Sequence, residues 1–179
     1  IPLVAAYISE IAQNYRNPAR LSESLNKIHP HIARVMPGKT LLDMDWVFLP
    51  IGTGVHWLLL AASVKTHEIR AYDSMRGFDK TNFPVIASAL VKEFQKTYFG
   101  VHNKDDARQW TIIPSQEMPD AFMPQQSNSV DCGVFVCMVA DALSRQFDIG
   151  RNTPVAFDQS LTSWARKYIT LSILREKLL

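Results

Sequence analysis

Cysteine is scarce in this chain: its 179 residues hold two, Cys132 and Cys137. Five positions apart on one predicted helix, they cannot close a comfortable disulfide, and no partners stand near them for a zinc site. Such sparing use suits a reducing compartment. Charge of one sign is missing too. Nineteen Lys and Arg face 17 Asp and Glu for a net +2, with no basic cluster and no interleaving of basic and aromatic residues, which argues against a nucleic-acid binder. No apolar run approaches the roughly 20 residues of a membrane span, and no signal peptide opens the chain, so no membrane role is expected. Repeats, low-complexity tracts and linkers are absent. His29-x-His31 lacks further ligands at useful spacing, so no metal is expected. What is present is a 47% hydrophobic, 20% charged composition, that of one globular domain with room for a real core.

Apolar spacing at Leu3, Val4, Tyr7, Ile8 and Ile11 predicts an N-terminal helix over 2–14. The stretch 21–36 is mixed, interrupted by Pro30, and Pro37-Gly38 reads as a turn. Val47–Ile51 and Val55–Ala62 read as buried strands around a Gly52-Thr53-Gly54 turn, and 68–75 as a short strand ending in Asp73. A helix over 82–98 with Phe83, Ile86, Ala87, Leu90, Val91 and Phe94 on one face is expected to end at Gly100. A strand over 110–114 follows, then a helix over 132–144 with Val134, Phe135, Met138, Val139 and Leu143 inward. A last helix over 157–178 carries Leu161, Trp164, Ile169 and Leu174. Trp46, Trp110 and Trp164 read as core, and Cys137 as a small packed side chain. This order, with strands and helices not alternating, is α+β.

The segment Pro124-Gln125-Gln126-Ser127-Asn128-Ser129-Val130-Asp131-Cys132-Gly133 turns from a polar loop into an apolar run at the cysteine. A thiol in a first helical turn lies in the field of the helix N-terminus, which favours the thiolate. First-turn N–H groups have no intrahelical partner and can point at an oxyanion. Gln126, six positions upstream, can add its amide. Asp131 reads as a helix N-cap. A buried structural cysteine is the bland alternative, and this segment alone leaves both readings open.

A thiolate nucleophile needs a base and a group that orients it. His56 opens one predicted strand, Asp73 closes the next, and the Lys65-Thr66-His67 turn is tight enough for antiparallel pairing. The two side chains are then expected as cross-strand neighbours, the carboxylate holding the imidazole tautomer and stabilising the imidazolium. His29, His31, His67 and His102 lack such a partner pattern. Trp57, next to His56, is either core or a residue leaning over the site edge.

Together, His56-Trp57, Asp73-Ser74-Met75 and the Gln126 to Cys132-Gly133 motif resemble the ubiquitin-like-protein-specific cysteine proteases, the sentrin-specific group that processes SUMO. The likeness runs from about Asp45 to Leu143, with four motifs in the family's order. It implies a papain-like architecture on an α+β scaffold: a small mixed sheet flanked by helices, with the nucleophile at a helix N-terminus. It also implies Cys132 as nucleophile, His56 as general base and acid, Asp73 as its orienter and Gln126 in the oxyanion hole. Val55, Trp57 and Met75 would bind the substrate tail, with Trp57 as a channel wall. No cofactor is implied. The substrate would be SUMO or another ubiquitin-like protein and its conjugates, cut after a C-terminal diglycine.

Two alternatives share the triad: an acetyltransferase effector, whose orienting residue is usually Glu rather than Asp, and a deubiquitinase or deneddylase of the same fold. The family's upstream Trp-Leu-x-Asp segment is absent before Asp43. Either the chain begins past that tryptophan or the channel wall is built differently here. Residues 1–179 are expected to be one catalytic domain, excised from a longer protein, monomeric, and placed in the nucleus or cytoplasm, or in a host cell for a bacterial effector.

Overall fold

The computed structural model describes residues 20, 23, 28–76, 83–118, 124–145 and 157–175. The helix expected over 2–14 lies outside them. Helix α1 spans Ile28–Val35. Pro30 does not interrupt it as expected, because it falls in the first turn, where the missing N–H has no intrahelical bond to lose. Gly38, at φ +77°, makes the following turn.

Three consecutive strands then form a meander: β1 Trp46–Gly52, β2 Trp57–Ser63 and β3 Glu68–Tyr72. β1 and β2 pair antiparallel from Trp46 opposite Ser63 to Gly52 opposite Trp57, and β2 and β3 pair antiparallel from Leu59 opposite Tyr72. Helix α2, Phe83–His102, follows, and β4, Thr111–Ile113, joins β3 in parallel. The sheet order is β1-β2-β3-β4. Contrary to expectation α2 does not stop at Gly100. It runs two residues further, and Asn103 at φ 51° takes the left-handed position beyond its end, its N–H bonded to the Phe99 carbonyl at 2.7 Å.

The strands are buried on both faces because helices cover both. Val47, Leu49 and Ile51 of β1 and Leu58, Leu60 and Ala62 of β2 pack with Ile32 of α1 and with Phe83, Ile86, Ala87, Leu90 and Phe94 of α2. The alternate residues Phe48, Leu59, Ala61 and Tyr72 point the other way. They meet helix α3, Cys132–Ser144, through Val136, Val139, Ala140 and Leu143. Helix α4, Thr162–Leu174, packs on α3. The architecture is therefore the α+β layering anticipated, with one strand-period pattern serving two cores.

Several expected core positions lie elsewhere. Trp164 is exposed and stacks on Tyr168, with centroids 5.2 Å apart. Trp46 and Trp110, by contrast, are half-buried and pack against the two cores, the latter stacked on Phe94 at 4.4 Å. Leu161 and Leu174 are exposed as well, because α4 buries the small residues Thr162, Ala165 and Ser172 instead. Cys137 is exposed on α3, although neighbouring atoms desolvate its thiol enough to push its pKa up. Among the described residues, no helix is long and apolar enough to cross a membrane.

Candidate active site

The β1–β2 turn fixes His56 before β2 begins. Gly54 takes φ +95°, which an L side chain rarely adopts. Thr53 then brackets His56: its N–H bonds the His56 carbonyl at 2.8 Å, and its Oγ1 accepts the His56 N–H at 3.1 Å. His56 stands one residue ahead of β2 and Asp73 one residue past β3. Continuing the register from Leu59 and Tyr72 puts Asp73 opposite Leu58, so His56 and Asp73 are diagonal rather than direct partners. Diagonal neighbours on one face lie within reach of a long side chain. His56 Nε2 meets Asp73 Oδ1 at 2.8 Å, with both side chains buried. The Met75 N–H donates to the same oxygen at 2.9 Å and keeps the carboxylate turned toward the imidazole.

Cys132 is buried and is the first residue of α3, the boundary its polar-to-apolar switch predicts. The Val134 and Phe135 N–H groups bond the Asp131 carbonyl at 2.9 and 3.1 Å. The Cys132 N–H precedes this ladder. Two bridges run from the neighbourhood of Cys132 to the His–Asp pair. The Gln126 N–H bonds the Ser74 carbonyl at 3.0 Å, and the Ser74 hydroxyl donates to Gln126 Oε1 at 2.5 Å, next to Asp73. The amide orientation is fixed from both ends, because Nε2 donates to the Asn128 carbonyl at 2.5 Å. A primary amide has a second hydrogen to offer.

The second bridge is Trp57. It alternates to the face opposite Leu58, its Cδ1 lying 3.9 Å from where a Cβ on Gly133 would stand. Its six-membered ring lies on Gly52, where an added Cβ would stand 2.9 Å from the ring. Gly52 is thus needed for the close approach of the indole. Trp57 remains 40% exposed, so it is neither core nor loose surface. Val55 and Met75 are exposed beside His56 and Asp73. Trp46, by contrast, is at the far end of the β1–β2 hairpin.

Asp131 occupies the N-cap position, but its side chain makes no cap bond, which corrects the capping expectation. Instead Oδ2 accepts Asn128 Nδ2 at 2.8 Å and Gln159 Nε2 at 2.5 Å, and Oδ1 accepts Arg166 Nε at 3.0 Å. These donors, Asn128 foremost and Arg166 next, hold its carboxyl down at about 2. Gln159, Arg166 and the Ser74 hydroxyl had no signal in the local sequence. Val130 did: it is an apolar residue in a polar loop, two positions before Cys132 and 69% exposed. Among the described residues, no group of three or more His, Cys, Asp or Glu is placed to hold a metal ion.

Comparison with known proteins follows the same lines. Residues 6–170 match the Ulp1 protease family, C-terminal catalytic domain. The ubiquitin-like-specific protease ESD4 of Arabidopsis thaliana is 33% identical over 114 residues, covering 60% of this chain and 20% of that protein. Sentrin-specific protease 2 of Rattus norvegicus is 30% identical over 149 residues, covering 83% of this chain and 23% of that protein. The chain therefore spans less than a quarter of the length of either relative. The solved C-terminal Ulp1 protease domain, in complex with Smt3, the yeast ortholog of SUMO, aligns with a TM-score of 0.66 at 22% identity, over 94% of this chain and 67% of that one. The Ulp1-like SUMO protease catalytic domain of Chaetomium thermophilum gives 0.63 at 19% identity, over 97% of this chain and 60% of that one. These likenesses give the fold, the papain-like α+β architecture anticipated. With the family match extending over most of its length, the chain belongs to the Ulp1 protease family and carries its C-terminal catalytic domain.

Proposed function

We propose that this domain is a cysteine peptidase that cleaves after the C-terminal diglycine of a ubiquitin-like modifier, SUMO first among them, both in conjugates and in precursors. The observation that carries the reading is the buried His56–Asp73 hydrogen bond of 2.8 Å in a domain whose cysteine opens a helix. Asp73 takes Nε2, so proton exchange with Cys132 runs through the buried Nδ1. Cys132 gives its proton to His56, and the thiolate attacks the carbonyl carbon of the terminal glycine. The Cys132 N–H and Gln126 Nε2 hold the tetrahedral oxyanion. His56 returns the proton to the departing amine, a lysine Nζ in a conjugate, and the thioester is then hydrolysed by a water that His56 activates.

The tail would pass between Trp57 and the loop that ends in Val130, a path suited to residues without a Cβ. The relatives named for sentrin and the Ulp1 domain bound to Smt3 support SUMO as the modifier. Such conjugates place the reaction inside cells, in nucleus or cytoplasm.

The test is a panel of C-terminal electrophiles made from SUMO and from ubiquitin, beside labelled acetyl-coenzyme A. The SUMO probe is expected to form an adduct that maps to Cys132. Reaction with ubiquitin alone would change the modifier, and acetyl transfer without any probe adduct would overturn the class. Gln126→Ala is expected to lower turnover by about 10²–10³, the loss of one oxyanion donor. Unchanged turnover would take Gln126 out of the hole. Trp57→Ala should impair processing of full-length modifier far more than hydrolysis of a small activated ester, because the indole touches the tail and not the thiol. Equal losses on the two substrates would count against a wall.

A further inference from the structure

An Asp at an N-cap ordinarily turns its carboxylate onto the first-turn N–H groups and adds a negative charge to the helix N-terminus. At α3 that charge would oppose the Cys132 thiolate and compete for the region the oxyanion must enter. The side chain of Asp131 is turned away, although the residue holds the cap position.

Besides Asn128 within the loop, two residues of the C-terminal segment hold it there. Gln159 donates Nε2 to Asp131 Oδ2 at 2.5 Å, and its Oε1 accepts the Ser127 N–H at 2.9 Å, so one amide grips both ends of the loop before the nucleophile. Arg166 bonds Asp131 Oδ1 through both Nε and Nη2, and Nη2 also donates to the Val130 carbonyl at 3.0 Å. Within the loop, Asn128 Nδ2 completes the set on Oδ2, while its Oδ1 accepts the Val130 and Asp131 N–H groups at 3.1 Å each. The guanidinium is half-exposed and the carboxylate is not, with side-chain exposures of 52% and 7%. An ion pair so open on one side contributes little to stability, yet its fork fixes direction.

We infer that Gln159 and Arg166 are positioning residues that hold the Asp131 carboxylate off the N-terminus of α3 and so keep it open to the thiolate and the oxyanion. The inference rests on Cys132 as nucleophile and adds two residues, 27 and 34 positions beyond it, to the working site.

The experiment measures the rate of Cys132 alkylation by iodoacetamide across pH, together with turnover of a modifier C-terminal ester. The enzymes are wild type, Gln159→Met/Arg166→Met, and that double variant with Asp131→Asn added. With Gln159 and Arg166 gone, only Asn128 still holds Oδ2, and the carboxylate is expected to swing toward the N-terminus of α3. Alkylation at neutral pH slows by about three- to tenfold, the scale of one charge at a helix terminus, its midpoint moves to higher pH, and turnover falls at least as far. Asp131→Asn removes the charge and should bring the alkylation midpoint back toward wild type, which a scaffold role would not do. Unmoved alkylation and turnover in the double variant, or losses that Asp131→Asn leaves in place, would overturn the proposal. Cys132→Ala runs alongside: turnover at the wild-type rate in that variant would sink the nucleophile assignment, whereas an inert Cys132→Ala beside an unmoved double variant sinks the positioning role alone.

Discussion

Cys132→Ala is expected to end hydrolysis of both modifier precursor and isopeptide conjugate, with a fall in turnover on the order of 10⁶, the scale of removing a covalent nucleophile from a triad that works as a unit. Ser74, next to Asp73, is not expected to stand in for the thiol, since its hydroxyl donates to Gln126 Oε1 at 2.5 Å. Binding of modifier should survive, because Trp57 rests on Gly52 and beside Gly133 and makes neither contact through the sulfur. Cys137→Ser is the matched control: Cys137 is exposed on the same helix, and its thiol is held in the protonated form by the local desolvation that raises its pKa. That variant should keep wild-type turnover. Equilibrium binding and single-turnover cleavage on the same SUMO conjugate would check both points. Turnover in Cys132→Ala near the wild-type level would remove it from the nucleophile role.

Local chemistry explains what was legible in the sequence. The start of α3 at Cys132 follows from a polar loop meeting an unbroken apolar run, and the hairpin that carries His56 follows from Gly54 between two apolar strands. The His–Asp meeting followed from strand polarity, which sets which ends are adjacent. The exact pairing did not, because register depends on a turn in which His67 itself takes φ 53°. Gly100 misled because glycine permits a helix end without requiring one; the left-handed position that ends α2 falls at Asn103 instead. Asp131 misled for a different reason. The residue type and position were those of a cap, but the competing donors come from Gln159 and Arg166, 28 and 35 positions away. Nothing in a local window shows that an acceptor has been claimed by a distant helix. Trp164 and the leucines of α4 show the same limit: their spacing is helical, but α4 buries the small residues Thr162, Ala165 and Ser172.

The second large effect separates the two members of the buried pair. His56→Ala should lower turnover nearly as far as Cys132→Ala, on the order of 10⁶, because the residue that takes the thiol proton and returns it to the amine is gone. Asp73→Asn should cost less, about 10⁴, the scale of replacing an orienting carboxylate by its amide. The difference lies in the hydrogen bonds. Asp73 Oδ1 accepts both His56 Nε2 and the Met75 N–H, at 2.8 and 2.9 Å. An asparagine whose carbonyl oxygen takes that place can accept both and keep the imidazole in the same tautomer. What it cannot supply is the negative charge that favours imidazolium, so the thiolate–imidazolium pair is less populated at neutral pH. Raising the pH should therefore restore part of the activity of Asp73→Asn by ionising the thiol directly, and none of that of His56→Ala, which still lacks an acid for the leaving amine. Rates for both variants across pH, on an isopeptide and on an activated ester, would show it. The ester needs no protonated leaving group, so His56→Ala should recover there relative to the isopeptide. Equal losses for the two variants on both substrates would show that Asp73 does more than orient His56, and an Asp73→Asn enzyme at wild-type speed would break the pair as a catalytic unit.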